Sequence, residues 1–174
     1  MANLSNRLAG PENVDKLADA LSAQPTLKGN AKAIQQIAEE GSVLVFTDGE
    51  LLLTEKHDDD DMFFVVSGKV EVLIKGNHVA FRHAPSVVGE VACLHPNQPR
   101  MASVRAVGDV TVVRVARTLL NKIDPVPSAS LRWELAILSL SRLLERNKHF
   151  LRRNDSPRIF LASARESIEH VKQF

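Results

Sequence analysis

The sequence predicts an α+β fold: an antiparallel, jelly-roll-like β-roll of eight strands, with helices before it and one long helix after it. Three observations carry this. Apolar residues recur at helical spacing up to residue 40, at strand spacing over residues 41–115, and at helical spacing again after Ala116. The middle region is rich in Val, Phe and Ile and is cut by Asp-Gly, Ser-Gly, Lys-Gly-Asn and Gly-Asp pairs, the signature of short strands joined by tight turns. A length of 174 residues suits one domain with a real core and the start of another.

Residues 1–40 form the N-terminal helical segment. NVDKLADALSAQ places Val14, Leu17 and Leu21 on one face, Pro25 breaks the pattern, and NAKAIQQIAEEG resumes it with Ile34 and Ile37 until Gly41. Residues 41–151 form the roll and its helices. Strands are expected in SVLVFTDGELLL, MFFVVSGKVEVLI, NHVAFR and ASVRAVGDVTVVRV, with Gly68 at a turn. Helix returns at RTLLNKID, and PVPSAS punctuates, with Ser128 or Ser130 as the N-cap of the next helix. That helix, LRWELAILSLSRLLERNKHFL, is long and apolar on two sides. Leu131, Leu135 and Leu138 form one stripe; Trp133, Ile137, Leu140, Leu144 and Leu151 form the other. One stripe covers the roll. The second needs the same helix of another copy, a homodimer through residues 131–151, or else burial inside a larger domain. Residues 152–157 read as a linker. In 158–174, RIFLA reads as a buried strand and SARESIEHVKQF as the opening of a helix: the first unit of an α/β domain, or a frayed C-terminal helix.

Composition sets bounds on partners. The formal charge of +1 creates no field for nucleic acid or an anionic membrane. No apolar run approaches a bilayer span, and the first residues lack the apolar core of a signal peptide. Cys93 is the single cysteine, so no intrachain disulfide can form and a cytoplasmic location is expected.

The chemistry concentrates in VVGEVACLHPNQPRMASVRA, residues 87–106. A single helical turn starting at Gly89 leaves its first backbone N–H groups without helical partners, and such groups bind anions. Glycine lets a ligand approach the backbone closely. The Glu90 carboxylate suits a sugar hydroxyl. The Arg100 guanidinium offers a planar fork matched to phosphate, with the Met101 and Ala102 amides beside it. The set fits a ribose carrying a cyclic phosphate.

GEVACL…PRMASVRA resembles the phosphate-binding cassette of the cyclic-nucleotide-binding domain family, and the resemblance extends over roughly residues 30–150. It implies that Glu90 holds the ribose 2′-OH and that Arg100 pairs with the cyclic phosphate. Gly89, the amides of Val91, Ala92, Met101 and Ala102, and Ser103 at the start of the exit strand complete the ligand-binding set. Members selective for cyclic GMP commonly carry Thr just after the arginine; Met101 here disfavours that ligand. Arg146 and Asn147 stand where aligned members offer base contacts, and an arginine donor suits the carbonyl edge of a pyrimidine better than the amino edge of adenine.

The tail, through Arg158, Ile159, Phe160, Leu161, Ser163 and Glu166, resembles the first strand, loop and helix of TIR-like domains. A cyclic-nucleotide domain followed by a TIR-like start is the architecture of the soluble effectors of pyrimidine-cyclase (Pycsar) anti-phage systems. That implies a sensor of a 3′,5′-cyclic pyrimidine nucleotide, cyclic UMP first, whose attached TIR part degrades NAD. The TIR catalytic glutamate would lie beyond Phe174, so this stretch is expected to be a binding domain with no catalytic residues, no metal and no cofactor of its own. The alternative is a cyclic-AMP receptor domain of another bacterial pathway; a degenerate roll serving only as a dimer scaffold is a third reading.

Other signals have plainer accounts. HDDDD, residues 57–61, lacks the alternation and closing glutamate of a calcium loop and reads as a solvated hairpin tip. Cys93 occupies an apolar position and reads as inert packing. Arg105 reads as a surface or lid salt-bridge residue, and Trp133 as packing rather than a base-stacking platform.

Overall fold

The structure is a computed structural model and describes residues 13–95, 97–123 and 125–153. The chain divides into two compact units, residues 1–139 and 140–174; the roll and its cassette belong wholly to the first.

Two helices lead in. Helix α1 (Val14–Ser22) buries Leu17 and Leu21, and a 3-10 turn at Pro25–Leu27 follows, where proline's fixed φ suits a helical first position. Helix α2 (Ala31–Glu40) is capped by Asn30, whose side chain accepts from the Ala33 amide at 3.2 Å, and it buries Ile37.

Six antiparallel strands follow among the described residues: β1 (Ser42–Phe46), β2 (Leu51–Leu53), β3 (Met62–Ile74), β4 (Asn77–His83), β5 (Ser86–Val88) and β6 (Ser103–Val115). The sheet order is β1-β6-β3-β4, with β2 also on β6 and β5 also on β3. Six rather than the expected eight strands result because β3 and β6 are each 13 residues long and do not break at Ser67-Gly68 or Gly108-Asp109. Those glycines absorb irregularities instead of making turns. Register shifts flank Ser67, Gly68 has φ 89°, and a Cβ there would collide with the Asp109 carbonyl of the neighbouring strand. Asp48-Gly49 and Lys75-Gly76 are true turns.

Strand alternation feeds two cores. Met62 and Phe64 of β3, with Val113 and Val115 of β6, join the helices in one cluster. Phe63 and Val65, with Val110 and Val112, point into the roll with Leu53, Val70 and Val104. Both faces of the central strands are therefore covered, and this explains the unbroken apolar run MFFVV. Each fully buried Leu or Phe contributes about 1.5–3 kcal/mol of transfer free energy.

Between β5 and β6 lies the short helix α3 (Glu90–Leu94). After β6, helix α4 (Arg117–Lys122) buries Leu119 and Leu120. The long helix α5 spans Pro125–Arg153. It starts at Pro125, so Ser128 and Ser130 lie inside it and neither is its N-cap. First-turn N–H groups have no helical acceptor, so proline there forfeits no bond. Leu131 and Leu135 are completely buried in the helix-side core and Leu138 packs partly against it, whereas Trp133 and Ile137 face outward. In the second unit Leu140 and Leu144 are exposed. The side chain of Leu151, the 152–157 linker beyond Arg153 and the 158–174 segment lie outside the described residues. No helix among the described residues is long and apolar enough to cross a membrane.

Candidate ligand-binding site

The cassette is anchored from both cores. Val87 of β5 points to the helix-side cluster and Val88 into the roll, and Ala92 and Cys93 of α3 are buried behind the turn. Gly89 joins strand to turn with φ 82°, the left-handed region, and a Cβ there would lie 2.8 Å from Arg100 Nη1 and 2.9 Å from the Asp61 carbonyl. Only glycine meets both demands.

Glu90 and Arg100, a carboxylate and a guanidinium, are 5% and 3% exposed. Such groups are almost never this buried unless partnered. Arg100 Nη1 donates to the Gly89 carbonyl at 3.0 Å, the residue before Glu90, so the two ends of the cassette are tied together. Nη2 donates to the Asp61 carbonyl at 2.6 Å, and Nε (3.1 Å) and Nη2 both donate to Asp59 Oδ2. The backbone is equally fixed: the Arg100 amide donates to the His57 carbonyl (2.9 Å) and its own carbonyl accepts from Lys56 (2.8 Å).

The acidic run is therefore no solvated tip. Asp59 holds Arg100, Asp60 pairs with Arg117 of α4 at 3.4 Å, and Asp61 pairs with Arg114 of β6 at 2.9 Å. Three successive carboxylates bind three arginines, from the loop before β6, from β6 and from α4. The Arg100 hydrogen bonds hold the Asp59 carboxyl below its ordinary value against the opposing effect of its partial burial. Among the described residues no group of three acidic, His or Cys side chains is placed to hold a metal.

Met101 is exposed, and Ala102 and Ser103 are half-buried beside Arg100. The Ser103 hydroxyl accepts from the Glu55 amide at 2.9 Å, tying the exit strand to the segment after β2. Burial pushes the Cys93 thiol up to about 11, with the Asp60 charge adding to it, as an inert packing residue requires. Arg105 pairs with Glu71 at 2.5 Å on the surface. Arg146 and Asn147 belong to the second unit.

Two participants escaped the sequence reading. Asp59 and its neighbours had a signal in the three arginines that need acidic partners. Ser139 of α5, four residues after Leu135 on the buried stripe, brings its Oγ to 3.5 Å from Glu90 Oε1. A serine where a leucine would continue the stripe was the sign.

The six-stranded antiparallel roll thus carries a buried Glu–Arg pair in the segment between β5 and β6. The model of the cyclic nucleotide-binding domain family matches residues 43–123, from β1 through α4. Over nearly its whole length the chain is similar to two Pycsar effector proteins. XpPycTIR from Xanthomonas perforans is 28% identical, over 97% of this chain and 56% of that protein, and PaPycTIR from Pseudomonas aeruginosa is 29% identical, over 95% and 53%. The chain thus spans about half the length of these curated relatives. Among solved structures, a cyclic nucleotide-binding domain from Methylobacillus flagellatus KT superposes with a TM-score of 0.70 at 18% identity, covering 84% of this chain and 87% of that one.

Proposed function

We propose that this chain is the sensor part of an anti-phage effector: it binds a 3′,5′-cyclic pyrimidine nucleotide, cyclic UMP first, and passes occupancy to an attached TIR domain that degrades NAD. The observation that carries the reading is the joint burial of Glu90 and Arg100, linked through the Gly89 carbonyl. An acid for the sugar hydroxyl and a guanidinium for the ring phosphate are thereby held at one turn. The similarity to the two Pycsar effectors supports the assignment of pathway.

In this reading the α3 amides of Val91 and Ala92, with those of Met101 and Ala102, add donors to the phosphate. Ligand entry shifts α5 only by its differential affinity for the two helix positions. The outward Trp133 and Ile137 meet the same helix of a second copy.

Isothermal titration with the six common 3′,5′-cyclic nucleotides tests the ligand. Cyclic UMP is expected to saturate one site per chain and to bind most tightly. Binding of cyclic AMP with no pyrimidine nucleotide bound would move the chain to a different signalling pathway.

A further inference from the structure

Helix α5 brings one polar side chain of the first unit up to the cassette acid. Leu131 and Leu135 are wholly buried and fix the register of this part of the helix against the core that also contains Cys93 of α3. One turn on, the half-buried Ser139 places its Oγ 3.5 Å from Glu90 Oε1 and 2.8 Å from the Leu135 carbonyl. A serine hydroxyl has one proton and two lone pairs. The nearer acceptor takes the proton, so in this structure Ser139 is bonded back onto its own helix, a local arrangement that costs little to exchange.

We infer that Ser139 is a specificity-determining residue that reads the ligand's sugar hydroxyl together with Glu90. The inference rests on the cyclic-nucleotide reading of the same site. A hydroxyl docked on Glu90 Oε1 donates its proton to the carboxylate, and its oxygen then lies within reach of Ser139 Oγ. Rotation about the serine Cβ–Oγ bond turns the Ser139 proton from the Leu135 carbonyl to that oxygen. In a 3′,5′-cyclic ribonucleotide the free sugar hydroxyl is the 2′-OH. The site then discriminates against 2′-deoxy ligands through the missing hydroxyl bond to Glu90 and through the lost serine bond. The 2′-OH also becomes the ligand group that touches both cassette and long helix.

The test is a cycle of two proteins and two ligands: wild type and Ser139→Ala, each titrated with cyclic UMP and with its 2′-deoxy analogue. Ser139→Ala is expected to weaken cyclic UMP binding roughly three- to tenfold and to leave the 2′-deoxy analogue unchanged, because the lost bond is to an oxygen that analogue lacks. Equal weakening of both ligands, or of neither, overturns the role of Ser139 and leaves the sensor reading standing. Failure of wild type to bind either ligand overturns the cyclic-pyrimidine reading on which the inference rests.

Discussion

At the scale of single residues the site is a problem in placing a buried cation. Arg100 is oriented by Asp59, the Asp61 carbonyl and the Gly89 carbonyl, which take four of its five N–H donors, so a phosphate must take the fifth or displace one of these acceptors. Asp59 is 39% exposed at its side chain, and solvent screening keeps its contribution to stability below about 1 kcal/mol. Its sign is definite. The folded carboxyl titrates below the ordinary 3.8, so the contribution is full above that pH and is lost as pH falls through the folded value. Asp59→Asn is expected to lower the melting temperature by roughly 1–3 °C at pH 7. The gap to wild type should close below pH 3.8; a gap of equal size at pH 7 and pH 3 would show that the pair contributes nothing. Gly89, Glu90 and Arg100 stand out in the sequence as a glycine, an acid and a guanidinium within one short stretch, and the structure brings all three together at one turn. Asp59 was not. Pairing between residues 41 positions apart depends on how β2 and β3 fold back over the cassette, and a run of aspartates looks the same whether solvated or engaged.

At the scale of elements, helix and strand were legible where the apolar period was strong. The stripe Leu131–Leu135 and the run from Met62 to Val65 appear as read, the latter with both faces covered. Breaks were not. Ser67-Gly68 has the composition of a turn, but the strand continues because β6 supplies pairing on both sides of the irregularity. PVPSAS has the composition of a punctuator, but prolines at 125 and 127 fall in the first turn of α5, where they are tolerated. The two faces of α5 make separable demands. Leu135→Ala leaves a cavity in the helix-side core and is expected to cost about 2–5 kcal/mol of unfolding free energy in urea titrations. Trp133→Asp touches an outward position, 66% exposed, and should leave chain stability within about 0.5 kcal/mol while converting a dimer to a monomer in sedimentation experiments. Wild-type chain sedimenting as a monomer at tens of micromolar would remove the dimer from the proposal.

At the scale of the whole molecule, a site that binds only the folded state ties ligand to stability. A ligand at a hundred times its dissociation constant stabilises by about 2.7 kcal/mol, which for a chain of this length raises the melting temperature by roughly 5–10 °C. Two carriers are named for that gain, Arg100 for phosphate and Glu90 for the sugar, and both are buried with their fold contacts in place. The most direct measurement is thermal unfolding with and without saturating cyclic UMP, for wild type, Arg100→Ala and Glu90→Gln. The expected result is a rise of several degrees in wild type and almost none in either variant. No rise in wild type with any cyclic nucleotide, or an equal rise in all three proteins, would contradict the assignment of this cassette as the place where the ligand is held.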